Sequence, residues 1–226
     1  IDVVTESPEV KTFVFECPED YTWEEGSHIH LALEGFNAGE KPDRSLIRHM
    51  SISTLKDENT IGITTRVRQD PSKFKQILNE LPIGSEAAIF KTHTNVPLKR
   101  EGKNIYMLSS GVGLATFRPL ALDYLSNNDN VTKVHSLNID SSKNYLFTDI
   151  FVSSADKNLT AHFVSTRSEY YDEAKILTED KGGLFYVVGS DEFLRQNIEL
   201  LLKQGIPNHQ IMLDKHESQR AEFFAN

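Results

Sequence analysis

Ile105-Tyr106-Met107-Leu108-Ser109-Ser110-Gly111-Val112-Gly113-Leu114-Ala115-Thr116 is the stretch on which the architecture turns. Residues 105–108 form a short apolar run of the kind buried on both faces of a sheet. Two glycines follow, and Ala115 to Leu125 then has the periodicity of a helix. Strand, glycine turn and helix start in immediate succession let the backbone fold tightly and come close to a phosphate. The first N–H groups of the helix supply donors and partial positive charge. Position 116 is Thr, so the full G-x-G-x-x-G is not met, and taken alone the turn is equally a structural one.

Reading toward the C-terminus, the alternation continues. Val134–Leu137, Leu159–Val164, Leu184–Val188 and Gln210–Leu213 are expected strands; Tyr145–Val152, Tyr170–Leu177 and Asp191–Lys203 are expected helices, the last ended by Gly205. Five strands alternating with helices imply a parallel sheet covered on both faces. Phe185-Tyr186-Val187-Val188-Gly189-Ser190-Asp191 repeats the order of strand, glycine and helix start. In such sheets ligands lie at the carboxyl ends of the strands.

Upstream the period changes to two. Val10–Phe15, Ile29–Leu33, Met50–Ser53, Ile61–Val67 and Ala87–Phe90 are short alternating or apolar runs separated by turn residues, as in an antiparallel barrel or sandwich. One helix interrupts them: Asp70 as N-cap, Pro71 as first residue, and Phe74, Ile77, Leu78 and Leu81 on one face. The charged, glycine-containing stretch Leu98–Lys103 divides the chain into domains at 1–99 and 100–226. A length of 226 residues accommodates two domains of about 100. The chain opens on Ile1 rather than Met, so a few native residues are expected before it.

The net charge is −9, from 24 basic and 33 acidic side chains, which disfavours nucleic acid and anionic membrane as partners. No apolar run approaches the roughly 18–20 residues of a membrane span, and no leader is visible, so a cytoplasmic protein is expected. Cys17 is the single cysteine, which excludes an internal disulfide and a cysteine-ligated iron–sulfur cluster. His28 and His30 share a strand face, but no third ligand stands near them in sequence, and no metal site is assigned. From Lys41 to Lys75 eight basic residues face four acidic ones; this local +4 leaves −13 for the rest. A bound diphosphate is one reason for such a segment, and chance surface variation is the other. Within it lie Arg48-His49-Met50-Ser51, on a strand where Arg48 and Ser51 take opposite faces, and Asp70-Pro71-Ser72-Lys73-Phe74-Lys75, a helix N-terminus flanked by hydroxyl and basic groups.

These four stretches, in this order, resemble the ferredoxin–NADP⁺ reductase-like flavoproteins over nearly the whole chain. Arg48 to Ser51 is similar to the Arg-x-(Tyr/Phe)-Ser signature of their FAD barrel, and Gly111 to Phe117 to their Gly-Ile-Gly-Ile-Thr-Pro-Phe turn. Gly189 is similar to the glycine of their Cys-Gly-Pro turn, and Thr65-Arg66-Val67-Arg68 with Ser72-x-Phe74-Lys75 to the FAD-diphosphate segment of one branch. The resemblance implies a six-stranded antiparallel FAD-binding barrel followed by a five-stranded parallel-sheet domain for NADH or NADPH.

It further implies roles. Arg48 binds the FAD diphosphate, with the strand neighbour His49 beside it. Met50 lies against the flavin ring, and Ser51 is the catalytic residue, hydrogen-bonding near N5 where hydride arrives. Arg66, Val67, Ser72, Phe74 and Lys75 surround the phosphates. Gly111, Val112, Gly113, Ala115 and Thr116 line the pyridine-nucleotide diphosphate, and Gly189, Ser190 and Asp191 border the nicotinamide half. Asp140, at the end of the second α/β strand, repels a 2′-phosphate and tilts the expectation toward NADH, against Arg167 and Arg195.

Four positions depart from the family pattern. Met50 replaces the stacking aromatic, Ala115-Thr116 replaces Thr-Pro, and Val188 replaces the cysteine beside the hydride path. Lys91–Asn95 stands where Gly-Pro-x-Gly is usual. The implied activity is hydride transfer from NAD(P)H to FAD, then electron transfer to a separate redox partner protein or small acceptor. A reductase of free flavin, ferric chelate or quinone is the alternative, and a non-catalytic flavin- or nucleotide-binding module is the third reading.

Overall fold

The computed structural model describes residues 2–152, 154 and 158–224. The chain divides into two compact units, residues 1–94 and 95–226. The division falls five residues before the expected 99/100 because the connecting segment belongs to the second unit. There Val96 and Leu98 are buried, and the Tyr186 hydroxyl donates to the Pro97 carbonyl at 2.8 Å while accepting from the Lys99 N–H at 2.9 Å.

The first unit contains six strands in two antiparallel three-stranded sheets. β1 (Asp2–Ser7), β2 (Val10–Glu16) and β5 (Thr60–Arg66) form one, in the order β1-β2-β5. β3 (Ser27–Leu33), β4 (Ile47–Ser51) and β6 (Ala87–Thr94) form the other, in the order β4-β3-β6. Alternation decides which face is buried. Ile29, Leu31 and Leu33 turn inward to meet Phe13, Ile61 and Ile63, and the helix α1 (Lys73–Glu80) closes the cluster with Phe74 and Leu78. The Trp23 indole N–H donates to the buried Thr54 carbonyl at 2.9 Å.

Some expected bounds change here, β6 running on from Phe90 to Thr94 among them, and one strand was not read from the sequence. β1 is exposed over most of its length, so it carries no alternation to read. The expected strand at Met50–Ser53 begins earlier and ends at Ser51, and β5 stops at Arg66. α1 is entered from Ser72, not Asp70, with Pro71 outside the helix; the Ser72 side chain makes no capping bond.

The second unit has β7 (Lys103–Ser110), β8 (Val131–Ile139), β9 (Leu159–Val164), β10 (Leu184–Val188) and β11 (Ile211–Leu213) in one parallel sheet, ordered β11-β10-β7-β8-β9. The helices α2 (Leu114–Ser126), α4 (Arg167–Leu177) and α5 (Asp191–Lys203) follow β7, β9 and β10. α5 ends as expected, with Gly205 at φ 81° and the Ile206 N–H bonded back to the Leu201 carbonyl. The expected helix at 145–152 shrinks to α3 (Thr148–Phe151), because Phe147 before it is left-handed at φ 52°. A terminal helix α6 (Glu217–Phe224) was not foreseen; it packs through Phe223. Strand order reverses at β7, where the chain runs first to one side and then to the other. The crevice between β7 and β10 is therefore where such a sheet binds ligands. No helix among the described residues is long and apolar enough to cross a membrane.

Candidate functional site

Each unit carries its own cluster. In the first, the alternation of β4 puts Arg48 and Met50 on the inward face, opposite Leu31 and Ile29, and His49 and Ser51 on the other face, opposite His30 and His28. Met50 packs on the unit's core. Arg48 is half-buried; its guanidinium donates to the carbonyls of Ile47 at 2.7 Å and Arg44 at 3.1 Å, and lies 5.5 Å from the Phe74 ring centre. Lys75 reaches the Arg66 carbonyl at 2.7 Å. Burial depresses the Lys75 ammonium below its ordinary range, and the positive charges of Arg68, Arg66 and Arg48 add to the shift. Four cations thus converge at the start of α1, whose first-turn N–H groups have no acceptor within the helix.

Phe74 is fully buried, so it offers this cluster its backbone alone, while Ser72 is exposed at the helix entry. The Val67 N–H is already committed to the Glu9 carbonyl at 2.7 Å, which leaves its carbonyl and side chain. A dianionic diphosphate suits this donor set: it satisfies helix N–H groups and relieves repulsion that the fold otherwise carries.

In the second unit the glycine stretch forms a short 3-10 turn, Gly111–Gly113, leading straight into α2. Gly111 has φ 52°, the left-handed region open to glycine at no steric cost. Gly113 is required for a different reason: a Cβ there would stand 2.9 Å from the Val188 carbonyl oxygen at the end of β10. The turn therefore presses on the adjacent strand at the point where strand order reverses. Ala115 and Thr116 are each only 4% exposed, so their side chains are covered by the unit and the turn offers a ligand mainly backbone. Ser190 caps α5, accepting from the Phe193 N–H at 3.3 Å. Gly189 before it leaves no room for a Cβ, which would meet the Phe193 ring at 2.6 Å. Asp191 pairs with Lys215 at 2.7 Å.

A small cavity of about 90 Å³ joins the carboxyl ends of three strands: Ser110 closing β7, Ile139 closing β8 and Ser190 just after β10, with Arg167 and Tyr171 on its wall. Sequence reading missed Asn138. Its amide is buried and donates to the Ser109 hydroxyl at 2.8 Å and the Gly111 carbonyl at 3.3 Å, holding the turn. An amide between Leu137 and Ile139 at the carboxyl end of β8 was the only signal. Asp140 is folded into its own loop, accepting from the Ser142 N–H at 2.9 Å and hydroxyl at 2.6 Å. Arg167 pairs with Glu192 at 3.3 Å, and Arg195 lies over the Phe223 ring, with its guanidinium on the Glu222 carbonyl. Among the described residues no group of His, Cys, Asp and Glu is placed to hold a metal ion.

Solved structures share this fold. The CS-b5R domains of human Ncb5or, in an NAD⁺ form, align with a TM-score of 0.77 at 16% identity, over 95% of this chain and 68% of that one. A ferredoxin NADP⁺ reductase from Neisseria gonorrhoeae with bound FAD and NADP aligns with a TM-score of 0.75 at 17% identity, over 93% and 94%. The chain has the ferredoxin–NADP⁺ reductase fold. The ferredoxin reductase of carbazole 1,9a-dioxygenase shares it too, at a TM-score of 0.77 and 13% identity, over 95% and 66%. No protein-family model and no curated protein matches the sequence. The reductase fold is thus recognised through backbone geometry, at identities that leave side-chain roles to be argued from the residues themselves.

Proposed function

We propose that this chain is a flavin-dependent oxidoreductase that takes hydride from NADH or NADPH onto FAD and passes the electrons to a separate acceptor. The observation that carries the reading is the convergence of Arg48, Arg66, Arg68 and Lys75 at the start of α1 in a protein of net charge −9. Like charges gathered in an acidic chain need an anion to balance them, and on this fold FAD supplies a diphosphate.

FAD, when bound, supplies the redox chemistry, accepting a hydride and releasing electrons singly or in pairs. The chain's part is binding and orientation. Arg48 and Lys75 would neutralise the diphosphate, aided by the α1 N–H groups at Phe74 and Lys75 and by Arg66, with Val67 and Ser72 at the margins. Met50 would pack on the flavin ring, and Ser51 would place a hydroxyl near N5. In the second unit the backbone of Gly111, Val112 and Gly113 would receive the pyridine-nucleotide diphosphate, and Gly189 and Ser190 would border the nicotinamide. Ala115, Thr116 and Asp191 would shape that site from behind.

NADH and NADPH stand level: the Asp140 carboxylate turns back onto Ser142 and does not line the cavity at the strand ends, which removes the ground for preferring NADH. The single cysteine leaves no means of ligating an iron–sulfur cluster within these 226 residues, so the acceptor, protein or small molecule, is sought outside them. Two of the solved structures with this fold, a cytochrome P450 reductase and the dioxygenase ferredoxin reductase, carry names that place them in such systems.

The test is optical. Purified protein should take up one FAD and show flavin absorption that anaerobic NADH or NADPH bleaches, and added acceptors should restore it. Protein that stays colourless in excess FAD would end this reading and favour a non-catalytic module.

A further inference from the structure

We propose that the first unit holds a second ligand groove, distinct from the cation cluster at α1, that binds a planar aromatic molecule bearing an anionic group. The groove lies on the face of the β4-β3-β6 sheet turned away from the core, and its volume is about 1000 Å³, at the upper end for small-molecule sites.

Its floor is aromatic. The His30 ring lies 3.9 Å from that of His49 and 5.2 Å from that of Phe90, and Phe90 stacks on Phe36 at 6.1 Å with planes 22° apart. That spacing is of rings already in contact, so a ligand would lie across them rather than between them. Phe36 is not a stray surface residue. The loop from β3 to β4 is built around it: its N–H bonds to the Leu33 carbonyl at 3.2 Å, and its carbonyl accepts from the Asp43 N–H at 2.7 Å. Burial, with the charges of His49, Lys91 and His93, lowers the His30 pKa, which keeps that ring neutral and available for stacking.

The rim is cationic. Lys41, Arg44 and Lys91 line the groove and no carboxylate does, although the chain has 33 acidic residues. None of the three is in an ion pair among the described residues, and the nearby Asp43 is turned to the Ser45 N–H at 2.8 Å and to Lys73 at 3.5 Å. An aromatic floor, near-parallel at Phe36 and Phe90 and tilted by 45° and 48° at His30, edged by three cations matches an aromatic sulfonate, carboxylate or phosphate: the ring displaces water from the Phe36 and Phe90 end of the floor while the anion meets the rim. This assignment stands on the first unit alone and survives if the flavin reading fails.

Naphthalene-2-sulfonate is a suitable probe, titrated calorimetrically into the full chain with and without saturating FAD and NADH. Expected is one site, unaffected by either dinucleotide. Lys41→Ala/Arg44→Ala should weaken binding roughly tenfold, and Phe36→Ala by a similar factor, both variants retaining the wild-type melting temperature within a few degrees. Neutral 2-naphthylmethanol and inorganic sulfate should each bind more weakly than the probe. The proposal is overturned by absence of binding at millimolar probe, by affinity unchanged in both variants, by displacement with a dinucleotide, or by equal binding of the neutral alcohol.

Discussion

At the scale of single residues, Arg48 does two things that are separable by experiment. It donates to two carbonyls of its own neighbourhood, and it brings a fixed charge to the cluster around Lys75. Arg48→Ala should leave the fold standing, since the lost contact with Phe74 is worth only about 1 kcal/mol. FAD affinity should fall by roughly 10- to 100-fold, the worth of a charge-assisted bond to phosphate. Flavin content after dialysis measures this. Ser51→Ala should act on rate, with stopped-flow flavin reduction by NADH slowed more than FAD binding is weakened. His135, away from both clusters, offers a pH reading. Burial first, then the charges of His162 and Lys133, bring its pKa down to about 4. Below pH about 6.5 the unfolded chain takes up a proton that the folded chain refuses, so stability is full above that pH and lost progressively toward pH 4. The loss should reach on the order of 2 kcal/mol and be flattened in His135→Gln, as read by urea denaturation across that window.

At the scale of elements, the turn into α2 is the tightest constraint. Gly113→Ala would drive a methyl group into the Val188 carbonyl, which is backbone and cannot swing aside. The expected cost is about 1–3 kcal/mol, with loss of NAD(P)H binding that exceeds the loss of FAD binding; paired titrations on one preparation would show it. This turn was legible from the sequence because strand, glycines and helix stand next to one another in the chain. So was α5, where the expected bounds 191–203 match, since its apolar stripe, Ser190 cap and Gly205 stop are all local signals. What was not legible has a common cause. β1 is an exposed edge whose pairing with β2 is decided by partner, not pattern. α3 is cut short by a left-handed Phe147, a residue with no intrinsic taste for that conformation. Asn138 acts through a residue 27 positions away. The groove of His30, Phe36, His49 and Phe90 is assembled from three strands and a loop, and no window of sequence contains it.

At the scale of the molecule, charge is distributed against its own average. The segment from Lys41 to Lys75 is +4 in a chain of −9, and the structure folds four of those cations into one place at α1 and two others onto the groove. FAD binding should therefore weaken as salt rises from 50 to 500 mM, because the screening length shrinks from about 14 to 4 Å over that range while the hydrophobic part is spared. A flat salt response in fluorescence titration would place the dinucleotide elsewhere.

β4 is five residues long, and successive side chains address different chemistry: 48 and 50 the inward cluster, 47 and 49 the outward groove. Two evolutionary problems are thereby interleaved on one ribbon at a spacing of one residue. Substitutions at 48 and 50 can retune one ligand while 47 and 49 drift independently for the other, with Ser51 at the strand end kept for the flavin. A single inserted residue would swap both sets at once, so this ribbon is more sensitive to a change of length than to the exchange of any one residue.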